Sequence, residues 1–180
     1  MHLLGCLQNK RMKAKTPRES LSITTEIVLP NDTNNLDNLM GGRLLHWMDI
    51  ATAIAAHRHC GRIVVTASVN HVSFSEAIPA GSIVTLEAKV SRAFTSSMEV
   101  IVDVWMENSQ HKGKKKCNEA IYTFVAVDQL GNPIDVPQLT PESEEEKNRY
   151  KAALRRRQLS LVISGRMKPS EATELKALFA

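Results

Sequence analysis

Leu39-Met40-Gly41-Gly42-Arg43-Leu44-Leu45-His46-Trp47-Met48-Asp49-Ile50-Ala51-Thr52-Ala53-Ile54-Ala55-Ala56 decides the fold of this chain. The run reads as a helix that is apolar nearly all the way round, and such a helix belongs in a core, wrapped by other elements. Its one carboxylate, Asp49, is out of place there unless it is paired or serves chemistry, because burying an unpaired carboxylate is expensive. The pattern ends near Cys60-Gly61, where glycine is a natural C-terminal cap. Ahead of it, Asn31 to Asn38 is a dense run of Asn and Asp, the composition of a loop that bonds its own backbone and caps a helix.

Beyond Gly61 the apolar period changes from helical to two. Ile63, Val65, Ala67 and Val69 share one face, whereas Val72 and Phe74 take the opposite parity, which predicts a bulge near Asn70-His71. Ile83 to Val90, Met98 to Met106 and Lys115 to Asp128 each alternate as strands, with Ser91 to Ser97 as the turn between the first two. On the other side of the helix, Leu21 to Leu29 is a β-branched run stopped by Pro30. One central helix and consecutive antiparallel strands give an α+β class in which a curved sheet wraps a single helix. The sheet edges need cover, and a second copy supplies it, so a dimer is expected.

The two ends differ from this domain, which spans 21–139. Residues 1–20 carry Lys10, Arg11, Lys13, Lys15 and Arg18 without apolar period and read as a flexible basic leader. Residues 140–180 read as a C-terminal helical extension, with Thr140 as cap and Pro141 at the first helical position. Its glutamates Glu142, Glu144, Glu145 and Glu146 lie near the start and Arg155 to Arg157 near the end, as the helix dipole favours. That helix is expected to be a solvated surface element, broken at Gly165 to Ser170 before a last helix, Glu171 to Phe179.

At 180 residues the chain suits one domain. Its formal charge of +4 fits an anionic small molecule as well as nucleic acid, but two Trp, two Tyr and four Phe supply few platforms for stacking bases. Nucleic acid is therefore not expected as a partner. Cys6, Cys60 and Cys117 are scattered, with neither disulfide nor zinc spacing, and no run is long enough to span a bilayer. A cytoplasmic protein without membrane contact is expected. His46, His57, His59 and His71 form no ligand spacing, and Lys112, Lys114, Lys115 and Lys116 around Gly113 suit a soluble hairpin.

Asn38-Leu39-Met40-Gly41-Gly42, Met48-Asp49, Val65-Thr66-Ala67-Ser68-Val69, Phe74, Gly81, Thr95-Ser96-Ser97-Met98 and Val136-Pro137-Gln138-Leu139 together resemble the hotdog-fold acyl-CoA thioesterases. The nearest branch holds the YciA-type bacterial enzymes and the mammalian brain-type acyl-CoA hydrolase. The resemblance runs from about Ser22 to Lys147. It departs from the pattern at Leu39-Met40, where the family usually has histidine before the glycine pair, a change that bears on acyl preference. It implies an acyl-CoA hydrolase of fatty acid metabolism that releases CoA and a carboxylic acid without a serine nucleophile, metal or organic cofactor. It also implies a homodimer, assembled as a trimer of dimers.

The residues themselves suit that chemistry. A helix start offers free backbone N–H groups and a positive dipole end, so the Gly42 N–H can serve as an oxyanion hole; equally, Gly41 and Gly42 can serve close packing. Asp49 can act as base on water or attack directly, and burial would raise its basicity. Asn38 has an amide that holds water or a carbonyl, or caps the loop. Asn38 and Asp49 are about 16 Å apart along a helix, too far to share one carbonyl within a chain, and the family arrangement brings them together across the dimer. Gly41, Thr66, Ser68, Phe74, Arg92, Thr95, Ser96 and Ser97 are the expected substrate and CoA contacts. Leu45, Met48 and Ile54 fit core packing or an acyl chain. An enoyl-thioester hydratase or dehydratase on the same fold and a noncatalytic acyl-CoA-binding module are the alternatives.

Overall fold

The computed structural model describes residues 12–74, 76–108 and 111–179. Its elements are α1 (Pro17–Ser20), β1 (Ser22–Ile27), α2 (Gly41–Cys60), β2 (Ile63–Phe74), β3 (Ile83–Ala93), β4 (Ser97–Asn108), β5 (His111–Val127), α3 (Glu144–Ile163) and α4 (Thr173–Lys176). The five strands form one antiparallel sheet in the order β1-β3-β4-β5-β2. The sheet curls around α2, which is the hotdog arrangement the sequence implied.

The inner face is apolar by alternation. Met98, Val100, Val102, Val104 and Met106 of β4 and Ala120, Tyr122, Phe124 and Ala126 of β5 meet Leu44, Trp47, Met48, Ala51 and Ala55 of α2. Leu39 was expected in the helix, yet its N–H donates to the Ile78 carbonyl at 2.7 Å and it pairs with Thr33, so the helix begins two residues later. It ends as expected, with Gly61 at φ 63°, a left-handed cap that a residue with a side chain adopts reluctantly. The register of β2 against β5 shifts between Asn70 and Ser73, where the phase change predicted a bulge, and again between Thr66 and Ser68.

The two ends of the chain also depart from expectation. Within the supposed leader, residues 1–11 lie outside the described residues, but Lys15 pairs with Leu139, Pro17–Ser20 is helical and Ser20 is fully buried. Thr140 does not start the C-terminal helix: it follows directly on the Lys15–Leu139 bridge, its N–H donating to the Lys15 carbonyl at 2.8 Å, and Ser143 is the cap, in a reciprocal box with Glu146. The last helix is short: a 3-10 turn, Pro169–Glu171, precedes α4.

A further correction concerns α3, which is a surface helix but is solvated on one side only. It lies across the outer face of the sheet, so β4 is buried on both sides for most of its length. Arg149 reaches Asp103 at 2.9 Å, Arg156 grips buried Glu99 through two bonds of 2.9 and 2.7 Å, and Ala153 is fully buried. Burial alone would raise the Asp103 carboxyl, but the Lys116 and Arg149 cations hold it below its ordinary value.

Candidate active site

Asp49 and Thr66 come together where α2 faces β2. The Thr66 hydroxyl donates to Asp49 Oδ1 at 3.0 Å. Thr52, one turn on, spends its hydroxyl on the Met48 and Asp49 carbonyls at 2.7 and 3.0 Å and leaves the carboxylate to Thr66. Behind them the Tyr122 hydroxyl donates to the Leu45 carbonyl at 3.3 Å. Burial and the negative charge of Asp49 push the Tyr122 phenol up to about 12, so it stays protonated as a neutral wall. Sequence reading used Tyr122 only as a core position, and strand alternation alone does not reveal what its hydroxyl faces.

Asp49 is half-buried rather than sealed in the core, and the reason is the shape of the protomer. The helix is not covered all round: Ile50 and Ile54 are exposed beside it, as are Ile63, Val65, Val69 and Phe74 of β2, an edge strand. Of the apolar residues considered for acyl contact, Met48 is fully buried and Leu45 packs on the core, while Ile54 is open.

The two glycines at the start of α2 serve different ends. A Cβ on Gly41 would meet the Phe74 ring at 3.2 Å, so Gly41 permits close packing there. A Cβ on Gly42 would meet nothing within 4 Å, and Gly42 is exposed. The first helical bonds are made by the N–H groups of Arg43 and Leu44 to the Met40 carbonyl, both at 3.0 Å, so the Gly41 and Gly42 N–H groups precede the ladder.

The preceding loop is pinned to this helix start. Asp32 is buried; its carboxylate accepts from Arg43 Nε at 2.6 Å and from the Leu29 N–H at 3.1 Å, and its carbonyl accepts from Met40 N at 2.9 Å. Within the loop, Asn34 Oδ1 accepts from the Leu36 and Asn38 N–H groups at 2.9 and 3.3 Å. Asn38 is half-buried and its backbone is bridged to Pro79.

The expected CoA contacts separate into groups. Ser68, Ser96 and Ser97 line a cavity of about 350 Å³ on the outer face, with Arg156 and Arg157 of α3. Arg92 is turned to α3, donating to the Tyr150 carbonyl at 2.9 Å and stacking on its ring at 3.9 Å. The Thr95 carbonyl accepts from Val136 N at 2.9 Å in the turn. His59 is fully buried, its Nε2 bonded to the Pro137 carbonyl at 2.7 Å, and His57 Nδ1 meets the Arg62 carbonyl; the His71 and Lys112 side chains lie outside the described residues. Among the described residues no cluster of His, Cys, Asp and Glu could hold a metal, and no helix is long and apolar enough to cross a membrane.

A wrapped central helix with a glycine-led start and a hydrogen-bonded aspartate defines the class, and residues 36–111 match the model of the thioesterase superfamily. The chain belongs to the acyl-CoA thioester hydrolases of that superfamily. It is 40% identical over 139 residues to the acyl-CoA thioester hydrolase YkhA of Bacillus subtilis, covering 77% of this chain and 81% of that one. An apo-hexameric acyl-CoA thioesterase superposes with a TM-score of 0.78 at 37% identity, over 81% of this chain and 94% of the other. The acyl-CoA hydrolase of Staphylococcus aureus, solved with butyryl coenzyme A, coenzyme A and coenzyme A disulfide, has a TM-score of 0.78 at 36% identity, over 84% and 94%. That enzyme has also been solved with an asparagine, an aspartate or a threonine replaced by alanine.

Proposed function

We propose that the chain hydrolyses acyl-CoA thioesters, with Asp49 as the catalytic carboxylate and the Gly42 N–H as oxyanion donor. The observation that carries this reading is the Thr66 to Asp49 hydrogen bond, on the same helix whose glycine-led start is left open. Thr66 fixes one carboxylate oxygen and leaves the other to take a proton from water as the water oxygen bonds the carbonyl carbon. Gly42 and Asp49 lie seven positions, ~10 Å, apart along one helix, so the carbonyl oxygen gains charge toward the Gly42 N–H of a second copy; the C–S bond then breaks and the thiolate recovers the proton, giving free CoA and a carboxylic acid. Alternatively Asp49 attacks the carbonyl carbon directly and the C–S bond breaks to leave an anhydride and the CoA thiolate; water then cleaves the anhydride, giving the carboxylic acid and free Asp49, and its proton goes to the thiolate. No metal or organic cofactor enters either route, and we place the reaction in the cytoplasm.

The amide partner is Asn34 or Asn38. The staphylococcal variants support Asn34: the aspartate and threonine replaced there have the separation of Asp49 and Thr66 here, and the separation of the replaced asparagine from that aspartate, counted back from Asp49, reaches Asn34. Asn38 is the residue next to the helix start. We assign the role to Asn34, supplied by a second copy, whose β2 edge and α2 would cover Ile50, Ile63, Val65 and Val69. The hexameric relative supports a trimer of dimers.

Thiol release from saturated acyl-CoA of several chain lengths tests the reaction, since a hydratase has no double bond to act on and a binding module shows no turnover. Asn34→Ala and Asn38→Ala, assayed side by side, decide the amide: a loss of at least ~100-fold, the scale of removing a catalytic group, is expected for Asn34→Ala alone. The opposite ranking returns the role to Asn38.

A further inference from the structure

The cavity between α3 and the outer face of the sheet lies on the opposite side from Asp49. Thr123 and Val125 line it, whereas their neighbours Tyr122 and Phe124 point into the α2 core. Its charge is unbalanced. Among the described residues the one carboxylate on its wall, Glu99, is already committed to Arg156 and to Ser91, which donates at 2.6 Å. Arg157 and Arg166 remain, and among the described residues neither has a carboxylate within ion-pair distance. Arg157 lies over the Phe94 ring at 4.5 Å and donates to Ser97 Oγ at 3.3 Å, neither of which neutralises it. Burial and the nearby Arg166 charge both lower the Arg157 guanidinium, the mark of two cations held together without an anion.

The rest of the wall suits a particular anion. Ser68, Ser96 and Thr123 add hydroxyls, and Val125 and Leu161 add an apolar side. At about 350 Å³ the space exceeds what a bare inorganic ion needs and falls within the size range of small-ligand pockets. Paired guanidiniums with hydroxyl donors match a phosphate group, and the apolar wall beside them matches the base of a nucleoside. We propose that this cavity binds a phosphorylated nucleoside, its phosphate on Arg157 and Arg166. The ligand has two sources: the nucleotide end of CoA itself, which rests on the acyl-CoA reading above, or a separate nucleotide.

Binding is measured directly by titration calorimetry at fixed ionic strength, with adenosine 3′,5′-bisphosphate and with ATP as probes. The proteins are the wild type, Arg166→Gln and the Arg157→Gln/Arg166→Gln pair. Saturable binding of at least one probe is expected in the wild type. Affinity should fall by at least ~10-fold in the double variant, as for loss of charge-assisted contacts. Arg166→Gln, at an exposed position, should fall less, with an unchanged melting temperature that excludes misfolding. If CoA is the source, adenosine 3′,5′-bisphosphate competes with acyl-CoA, and the double variant raises KM for acyl-CoA but not for an acyl-N-acetylcysteamine thioester lacking the nucleotide. If a separate nucleotide is the source, ATP binds without competing. Failure of both probes to bind the wild type, or equal affinity in all three proteins, overturns the proposal. Nucleotide binding that is lost in the variants, in a protein with no thiol release from either thioester, would leave this site standing and remove the hydrolase reading instead.

Discussion

The helices α2 and α3 have the same length, 20 residues, and cover opposite faces of one sheet by different physics. α2 buries Leu44, Trp47, Met48, Ala51, Ala55 and Ala56 against the inner strands. α3 buries Ala153 and Gln158 and reaches the sheet mainly through polar pairs: Arg149 on Asp103, Arg156 on Glu99 and Glu146 on Lys89. Removing apolar area from water contributes about 25 cal/mol per Å². Buried ion pairs return little net stability, because desolvation offsets most of the attraction. The inner layer therefore carries the stability and the outer layer mainly fixes where α3 sits. Each layer also keeps one kind of charge in reserve: a threonine-bound carboxylate inside and, outside, guanidiniums without a carboxylate partner among the described residues.

That contrast breaks first at Asp49. If the inner charge is there for chemistry, Asp49→Ala lowers turnover by at least ~100-fold, the scale of a lost general base, while circular dichroism and solution mass stay as in the wild type. Near-normal thiol release from a verified preparation would make Asp49 a structural carboxylate. The packing half is tested by Met48→Ala, which empties a fully buried position and should cost about 2–5 kcal/mol in chemical denaturation. A cost under about 1 kcal/mol would mean that α2 is less tightly packed than its burial indicates.

The outer layer predicts a different pattern. Arg156→Ala strands Glu99 in a buried position, and because the Arg156 side chain is itself a third exposed, we expect about 1–3 kcal/mol rather than the full cost of breaking a buried pair. Replacing both partners, Glu99→Leu with Arg156→Met, should restore most of that loss. If the double replacement is as damaging as the single one, the pair stabilises the fold and the contrast between layers fails.

The smallest expected effect is a pH slope at the end of α2. Burial lowers the His59 pKa; its Nε2–H is given to the Pro137 carbonyl, and a proton on Nδ1 would have no acceptor among the described residues. Below pH 6.5 the unfolded chain takes up a proton that the folded chain resists, so the histidine's contribution, constant above that pH, declines as pH falls. Denaturation midpoints should drop from pH 6.5 toward pH 5 in the wild type and drop less in His59→Gln. Parallel slopes in the two proteins would assign the decline to other groups.

Much of the fold was readable from local pattern, because apolar period reports which side of an element meets the core. The phase change after Val69 located a bulge, and Gly61 marked the helix end. The helix starts were less readable, since Leu39 lies in a β-bridge with Thr33 and Thr140 follows the bridge of Leu139 with Lys15, pairings that local composition does not announce. Composition misjudged α3: a run of glutamate and arginine looks the same whether its partners are water or the carboxylates of a sheet.

At the site, the sequence by itself determined that α2 is a core helix carrying a single carboxylate, because residue type and period suffice to say that. It also fixed the glycine pair ahead of that carboxylate. Only the tertiary structure decided that Thr66 is the group that holds Asp49, that Gly41 gives way to Phe74 while Gly42 stays open, and that Arg157 has no carboxylate partner among the described residues. The physical reason is the same in each case. A hydrogen bond or an ion pair depends on distances of about 3 Å between groups far apart in the chain, and those distances are set by how the sheet curls over its helix.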